Sequence, residues 1–425
     1  MNFHLKTLGC KVNQYETESI KEALVAMGHT ADSNKPADCV IINSCTVTAE
    51  SDRKTRQLLH RIRKDNENAV IALTGCMVQA FPEKAKALSD ADIVIGNTDN
   101  AKLVKAVTEY KKDKIFDVTP HSLGEEYNGL KIADFSERTR AFLKIEDGCN
   151  RYCSYCIIPK ARGYVRSKPL GDIKKETESL AKSGYKEIVL VGINLSAYGQ
   201  DTKYNICDAV DKVCSVDGIK RVRLGSLEPD HITNEMLNKL KTNEKFCPQF
   251  HLSLQSGCDE TLKRMNRHYN AEFYYDLISR IRRIFENASI TTDIMVGFAG
   301  ETDDEFKQSV SFVKKAGFAR AHIFSFSRRA GTVADLLDNQ VKSSEKQRRA
   351  KIMANVCKES EKQFLLSQVD GIYPVMFESE KYGFNEGYTP NYTRVRVAYN
   401  HSLTGNILPV KITGANADYC IGELI

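Results

Sequence analysis

No apolar run in the chain approaches the ~18 residues that a bilayer-spanning helix needs. The opening residues, Met1-Asn-Phe-His-Leu-Lys-Thr7, lack a basic segment followed by an apolar stretch. Neither a membrane span nor a secretory leader is expected. The expectation is a cytoplasmic protein, in a compartment where disulfides are rare and cysteines serve metals, catalysis or packing. Charge of one sign is not in excess either: 61 Lys and Arg face 55 Asp and Glu, a net charge of +6. That balance permits a polyanionic partner without demanding one. At 425 residues there is room for roughly three domains.

What the chain does have is cysteine, thirteen in all. Cys149, Cys153 and Cys156 lie together in Gly148-Cys-Asn-Arg-Tyr-Cys-Ser-Tyr-Cys156. Thiolates are the usual ligands of iron–sulfur clusters, and a loop this tight can hold three corners of a cubane. The fourth iron would lack a protein ligand, and open metal positions are where chemistry takes place. A closed zinc site is the alternative. No Cys or His follows closely, and the next cysteine is Cys207, so zinc would need a distant fourth ligand.

The first 110 residues alternate strand and helix patterns. Strands are expected over 3–9, 38–43, 69–74 and 92–95, with helices over 14–27, 48–64, 81–88 and 100–110. Repeated βα units predict an α/β fold with a doubly wound parallel sheet, here assigned to residues 1–115. Cys10, Cys45 and Cys76 each follow a strand, two of them directly after Gly. In such a sheet the strand C-termini share the ligand-binding edge, so these three should converge. A second three-thiolate centre is predicted; three small residues packing at loop starts is the alternative. Cys39 opens a strand and reads as core, and the other six cysteines have no metal-like spacing.

Residues 116–138 are polar and weakly periodic and read as a linker. From 139 to 366 a second series follows, with strands over 141–146, 187–192, 221–225, 249–254, 289–296 and 320–326. Helices are expected over 172–183, 233–241, 271–286 and 303–316, then a long charged helix over 344–367. Six βα units suit an incomplete barrel with its site at the strands' C-terminal ends. Gly192, Asn194, Glu228, Gln255, Asp293 and Arg329 fall at or near those ends. Residues 367–425 carry β-type segments over 373–378, 392–398 and 407–412, as a small β-barrel would.

The CxxxCxxC spacing, with Tyr155 before the last Cys, resembles the radical S-adenosylmethionine family. Joined to an N-terminal three-Cys α/β domain, it resembles the radical methylthiotransferases. The matching motifs include Pro159-Lys-Ala-Arg-Gly163, Gly225-Ser-Leu-Glu-Pro229, Ser253-Leu-Gln-Ser-Gly257, Leu262-Lys-Arg-Met-Asn-Arg267 and Ser327-Arg-Arg-Ala-Gly-Thr332. The last segment, with Gly387-Tyr-Thr-Pro-Asn-Tyr392, is similar to the TRAM domain, an RNA-binding barrel. The resemblance implies two [4Fe–4S] clusters, on Cys10, Cys45, Cys76 and on Cys149, Cys153, Cys156. It implies S-adenosylmethionine as methyl donor and as radical source. The six strand-end residues named above are then candidates for holding S-adenosylmethionine, Glu228 and Arg329 foremost.

Cys10-Lys-Val-Asn-Gln-Tyr-Glu16 resembles the branch acting on N6-threonylcarbamoyladenosine beside the tRNA anticodon. That implies an anticodon stem-loop as partner, with an electron donor and a sulfur donor. The same chemistry on isopentenyladenosine in tRNA or on a ribosomal-protein aspartate is the alternative. A non-catalytic iron–sulfur protein that binds RNA or senses redox state is the reading from another class. Basic residues gather at 53–64, at 160–168 and at 342–362, which suits phosphate contacts or solvated helix faces equally. The TRAM-like segment is acidic on balance; Tyr388, Tyr392 and Tyr399 are its candidates for stacking on bases.

Overall fold

The computed structural model describes residues 1–134, 139–398 and 401–425. The N-terminal region begins with β1 (Phe3–Thr7), α1 (Lys11–Ala26), β2 (Cys39–Ser44), α2 (Ala49–Asp65) and β3 (Val70–Gly75). It continues through α3 (Cys76–Ala80), α4 (Pro82–Lys86), β4 (Ile93–Ile95), α5 (Asn100–Thr108) and β5 (Ile115–Asp117). The helix expected over 81–88 is α4, opened by Pro82, and α3 before it was not expected. The five strands pair in the order β1-β2-β3-β4-β5, all parallel.

Alternate residues of β2 feed opposite layers. Ile41 packs with Ile20, Leu24 and Leu103 of α1 and α5. Val40 and Ile42 pack with Leu59, Ile62 and Val78 of α2 and α3. The change of face has a topological cause. On the edge of β1 away from β2, Phe3 N–H donates to Thr30 O and Thr30 N–H to Met1 O. The chain thus steps outward after α1 and returns across β1 to form β2. Right-handed crossovers in opposite directions place α1 and α2 on opposite faces. The reversal lies between β1 and β2, which is where such sheets bind ligands.

The central region starts with β6 (Arg140–Lys144), β7 (Glu146–Asp147), α6 (Ile158–Arg162), β8 (Arg166–Ser167) and α7 (Leu170–Lys182). Then come β9 (Glu187–Val191), α8 (Ile206–Cys214), β10 (Arg221–Leu224), β11 (Ser226–Leu227), α9 (Asn234–Lys241) and β12 (Gln249–Leu252). It closes with α10 (Asp259–Arg264), α11 (Ala271–Ile284), β13 (Ser289–Val296), α12 (Asp303–Ala316), β14 (Arg320–Ser325) and α13 (Ser343–Leu366). Strands β6, β9 and β10 form one parallel arc, and β11 to β14 another. The arcs join because β11 continues β10 past Gly225 and Val222 bridges Phe246. Among the described residues β6 and β14 do not pair, so the six-stranded barrel is open on that side. Its core is one continuous apolar cluster that includes Leu190, Leu224, Phe250 and Ile294.

Strands β15 (Ile372–Lys381), β16 (Phe384–Tyr388), β17 (Arg394–Ala398), β18 (Ile407–Ala415) and β19 (Cys420–Leu424) close a small barrel. It seats on the N-terminal ends of the larger barrel's strands. Arg221 donates to Tyr388 O at 3.0 Å and Arg223 to Pro390 O at 2.8 Å. Tyr388 and Tyr392 stack on each other at 4.6 Å, with the Arg140 guanidinium over both rings. These two tyrosines are therefore committed to the seat between the barrels, not free to take bases. Tyr399 lies outside the described residues. Among the described residues no helix is long and apolar enough to cross a membrane.

Candidate functional site

The N-terminal trio sits at the β1/β2 reversal and its neighbour β3. Gly9 and Gly75, each just before a cysteine, have φ of +111° and +98°, a region open to glycine. Each turns the chain sharply out of its strand, so that Cys10 precedes α1 and Cys76 opens α3. A Cβ on Gly9 would stand 3.1 Å from Cys45 Sγ, which places Cys45 against the Cys10 turn. Cys10 Sγ and Cys76 Sγ lie 3.9 and 4.0 Å from one atom, Asn13 Oδ1. Asn13 also donates to Leu8 O and Ser44 O, tying the β1 and β2 exits together. Cys39, by contrast, is a core residue at the far end of β2, its thiol pushed up to about 12 by burial.

The second trio occupies the loop between β7 and α6. Cys153 is buried, and Cys149 and Cys156 are half-buried. Burial pushes the thiols of Cys76, Cys149 and Cys156 up to about 12, so without metal they carry protons. A coordinating metal deprotonates such thiols outright. Among the described residues no three Cys, His, Asp or Glu groups close on a single ion. Ligands of a cluster each take a different iron, so they need to surround a cubane rather than a point. Donor chemistry fits that group at both places: three thiols, and one arginine N–H aimed at a sulfur. Arg162 Nε donates to Cys76 Sγ at 3.2 Å, and Arg267 Nη1 to Cys153 Sγ at 3.1 Å.

The elements that carry the two trios pack together across the domain boundary. Cys76, Ala80 and Phe81 share one apolar cluster with Ile157 and Ala161 of the loop and α6. Beside it runs a buried charged seam. Arg162 is fully buried, paired with both oxygens of Glu16 and 2.8 Å from Asn13 Oδ1. Lys144 reaches Glu16 at 2.7 Å and Asp147 at 2.5 Å. Burial alone would raise the Glu16 and Asp147 carboxyls; Arg162 and Lys144 outweigh it and hold both below their ordinary values. Sequence pattern places Arg162 in a basic set suited to phosphate or solvent, which its full burial contradicts, and gives Arg267 no role. The one usable signal was helical: Asn13 and Glu16 recur at three-residue spacing from Cys10.

Of the six strand-end residues, Gly192 and Asn194 flank Glu146. Asn194 N–H donates to Glu146 Oε2 at 2.8 Å, and a Cβ on Gly192 would stand 2.5 Å from that oxygen. Glu146 Oε1 and Asn194 Oδ1 are buried with no partner. Burial, then the neighbouring Asp147 charge, pushes the Glu146 carboxyl well above its ordinary range. Glu228 pairs with Arg267 and stands 3.9 Å from Arg151, whose Nε is buried and unpartnered. Gln255, at φ +67°, donates its N–H to Asp293 O. The Asp293 carboxylate faces His251 at 3.4 Å, one layer deeper in the barrel. Arg329 goes elsewhere: it pairs with Asp52 at 2.7 Å, donates to Thr46 and covers the Phe81 ring. All three partners belong to the N-terminal domain, so Arg329 stands beside the first trio.

Residues 143–313 match the radical SAM superfamily, and residues 2–96 match Uncharacterized protein family UPF0004. A threonylcarbamoyladenosine tRNA methylthiotransferase MtaB of Bacillus subtilis is 36% identical, over 100% of this chain and 96% of its own. One from Thermotoga maritima is 38% identical, over 84% of this chain and 81% of its own. A tRNA-2-methylthio-N(6)-dimethylallyladenosine synthase of Clostridium tetani is 34% identical, over 97% and 93%. Among solved structures, the radical S-adenosylmethionine methyltransferase TsrM of Kitasatospora setae shares the fold. Its TM-score is 0.56 at 13% identity, over 77% of this chain and 76% of that one.

Proposed function

The chain belongs to the radical S-adenosylmethionine methylthiotransferases, and from that premise we propose that it methylthiolates C2 of N6-threonylcarbamoyladenosine at tRNA position 37. Enzymes of this family use S-adenosylmethionine and [4Fe–4S] clusters. The observation that supports the reading is the packing of the two cysteine-bearing elements, with Cys76 and Ile157, the neighbour of Cys156, in one apolar cluster. The choice of nucleoside draws on four relatives named for it, at 32–38% identity.

Cys10, Cys45 and Cys76 hold one cluster in this reading, and Cys149, Cys153 and Cys156 the other. When bound, the clusters and S-adenosylmethionine supply the methyl, sulfur and radical chemistry that no side chain provides. The chain's own residues bind and orient. Arg162 and Arg267 each give a hydrogen bond to a ligating sulfur, which fixes that ligand and tempers its charge. Glu146 and Asn194 offer unpartnered oxygens, with Gly192 leaving the space, for the amino and hydroxyl groups of S-adenosylmethionine. Arg151 offers its free Nε to the methionine carboxylate. An anticodon stem-loop, an electron donor and a sulfur donor complete the set of partners.

Gly192→Ala places a methyl group against Glu146, an overpacking that costs about 1–3 kcal/mol. The expected result is S-adenosylmethionine binding weakened roughly 5- to 150-fold at unchanged iron content, read by equilibrium dialysis. Unaltered affinity would remove this corner from the cofactor site. The function itself is tested by anaerobic reconstitution with an anticodon stem-loop bearing threonylcarbamoyladenosine, followed by product mass. Gain of a methylthio group in place of hydrogen is the expected outcome. Conversion of an isopentenyladenosine stem-loop alone would move the enzyme to the other tRNA branch. Absence of 5′-deoxyadenosine would remove it from catalysis altogether.

A further inference from the structure

Three basic sets stand out in the sequence; the fold absorbs most of one and part of another. In the set at 160–168, Arg162, Arg166 and Lys168 are buried and paired with Glu16, Glu125 and Glu176. On α13, Arg348 and Arg349 are tied to Glu345, Asp303 and Glu301, and Lys346 donates to Phe326 O. The small C-terminal barrel offers little: Arg394 and Arg396 both pair with Glu386. Its stacked tyrosines lie at the end of the larger barrel away from the cysteines.

What remains exposed near the two trios is a set of cations and aromatics on both sides of the domain boundary. Lys54 and Arg56 project from the first turns of α2, exposed and without hydrogen bond or ion pair among the described residues. Arg329 links that turn to Phe81, through Asp52 on one side and the aromatic ring on the other. Phe81 walls a cleft of about 790 Å³ whose floor includes Cys153, Cys156 and Ile157. Two more exposed cations, Lys84 and Lys160, stand over the same ring at 4.5 and 5.2 Å. Across the cleft are two exposed aromatics, Tyr152 at 55% and Tyr164 at 37% accessibility.

We propose that the substrate RNA lies across this face, its phosphates against Lys54, Arg56, Lys84 and Lys160 and one unpaired nucleotide in the Phe81–Tyr152–Tyr164 cleft. The inference rests on the tRNA reading above and adds where the RNA sits. Unpaired cations attract phosphate, aromatic walls stack on a splayed base, and the cleft's volume is that of a small-ligand site. Its floor is the cysteine loop, so a nucleotide held here sits next to the reacting one.

The test is fluorescence anisotropy of a labelled anticodon stem-loop with iron-loaded full-length protein, over a range of salt. Variants K54E/R56E and K84E/K160E are compared with K351E/K358E, a reversal of two exposed α13 lysines, and iron content and unfolding midpoint report folding. Each of the first two pairs is expected to weaken binding at least tenfold and to flatten the log–log salt slope by about 1–2, as losing two phosphate contacts requires. The α13 pair should bind within twofold of wild type. Equal loss in all three variants, or wild-type affinity in the first two, overturns the proposal. If RNA affinity holds and reduction by a small acidic flavoprotein slows instead, the face serves an electron donor and the proposal falls. Should wild type itself ignore the stem-loop, the tRNA reading fails and this face with it.

Discussion

Arg162→Met is expected to destabilise the protein by about 3–5 kcal/mol, since removing one partner from a buried ion-pair network strands the rest. The rest here is Glu16 and Asp147, both buried, with Lys144 alone left to Glu16 and shared with Arg166 at Asp147. Urea unfolding under anaerobic conditions measures it, alongside iron content, which should fall as Cys76 Sγ loses its hydrogen bond. A wild-type midpoint would show that the seam contributes no docking energy. The seam also sets an acid limit. Glu16 and Asp147 have folded-state values below their ordinary ones, so their contribution is fully present above about pH 4. It is lost only as pH falls through the depressed values. Wild type should therefore stay docked at pH 4–5, and Arg162→Met should come apart at a higher pH than wild type.

Cys10→Ala/Cys45→Ala/Cys76→Ala should lose about four irons per chain, the content of one [4Fe–4S] cluster. Its reduced form should still cleave S-adenosylmethionine to 5′-deoxyadenosine, because the other trio is untouched. Methylthiolated product should be absent. The complementary Cys149→Ala/Cys153→Ala/Cys156→Ala should lose a similar amount of iron and also the deoxyadenosine. Iron quantitation with nucleoside mass analysis separates the two. Full iron in the first variant would end the case for a second cluster.

Much of this architecture is written in local pattern. Strand β13 is expected over 289–296 and forms there, because Ser-Ile-Thr-Thr-Asp-Ile-Met-Val alternates and is β-branched. Helix α12 starts where the Thr302–Glu305 capping box says it should. The convergence of Cys10, Cys45 and Cys76 follows from three strands in one parallel sheet. Elements without period are harder to see. Helix α3 is five residues long, and β16 carries Asn, Glu and Gly where a strand signal needs apolar alternation. The edge pairing at Thr30 is a single bridge and leaves no apolar run. Buried arginines are harder still, since arginine is ordinarily a surface residue. The burial of Arg162 is made tolerable chiefly by Glu16, 146 residues away, with Asp147 and Asn13 beside it. Within Cys10–Glu16, the segment that resembles one branch of the family, Asn13 and Glu16 thus help to clasp two domains together.

A molecule sealed along such a charged clasp has to be serviced while shut. Opening it would strip Glu16 of both Lys144 and Arg162, while those two kept Asp147 on their own side. Of the N-terminal trio, Cys45 and Cys76 are walled in and Cys10 alone is open to solvent. In the docked form, then, whatever reaches that trio from solvent meets Cys10 first.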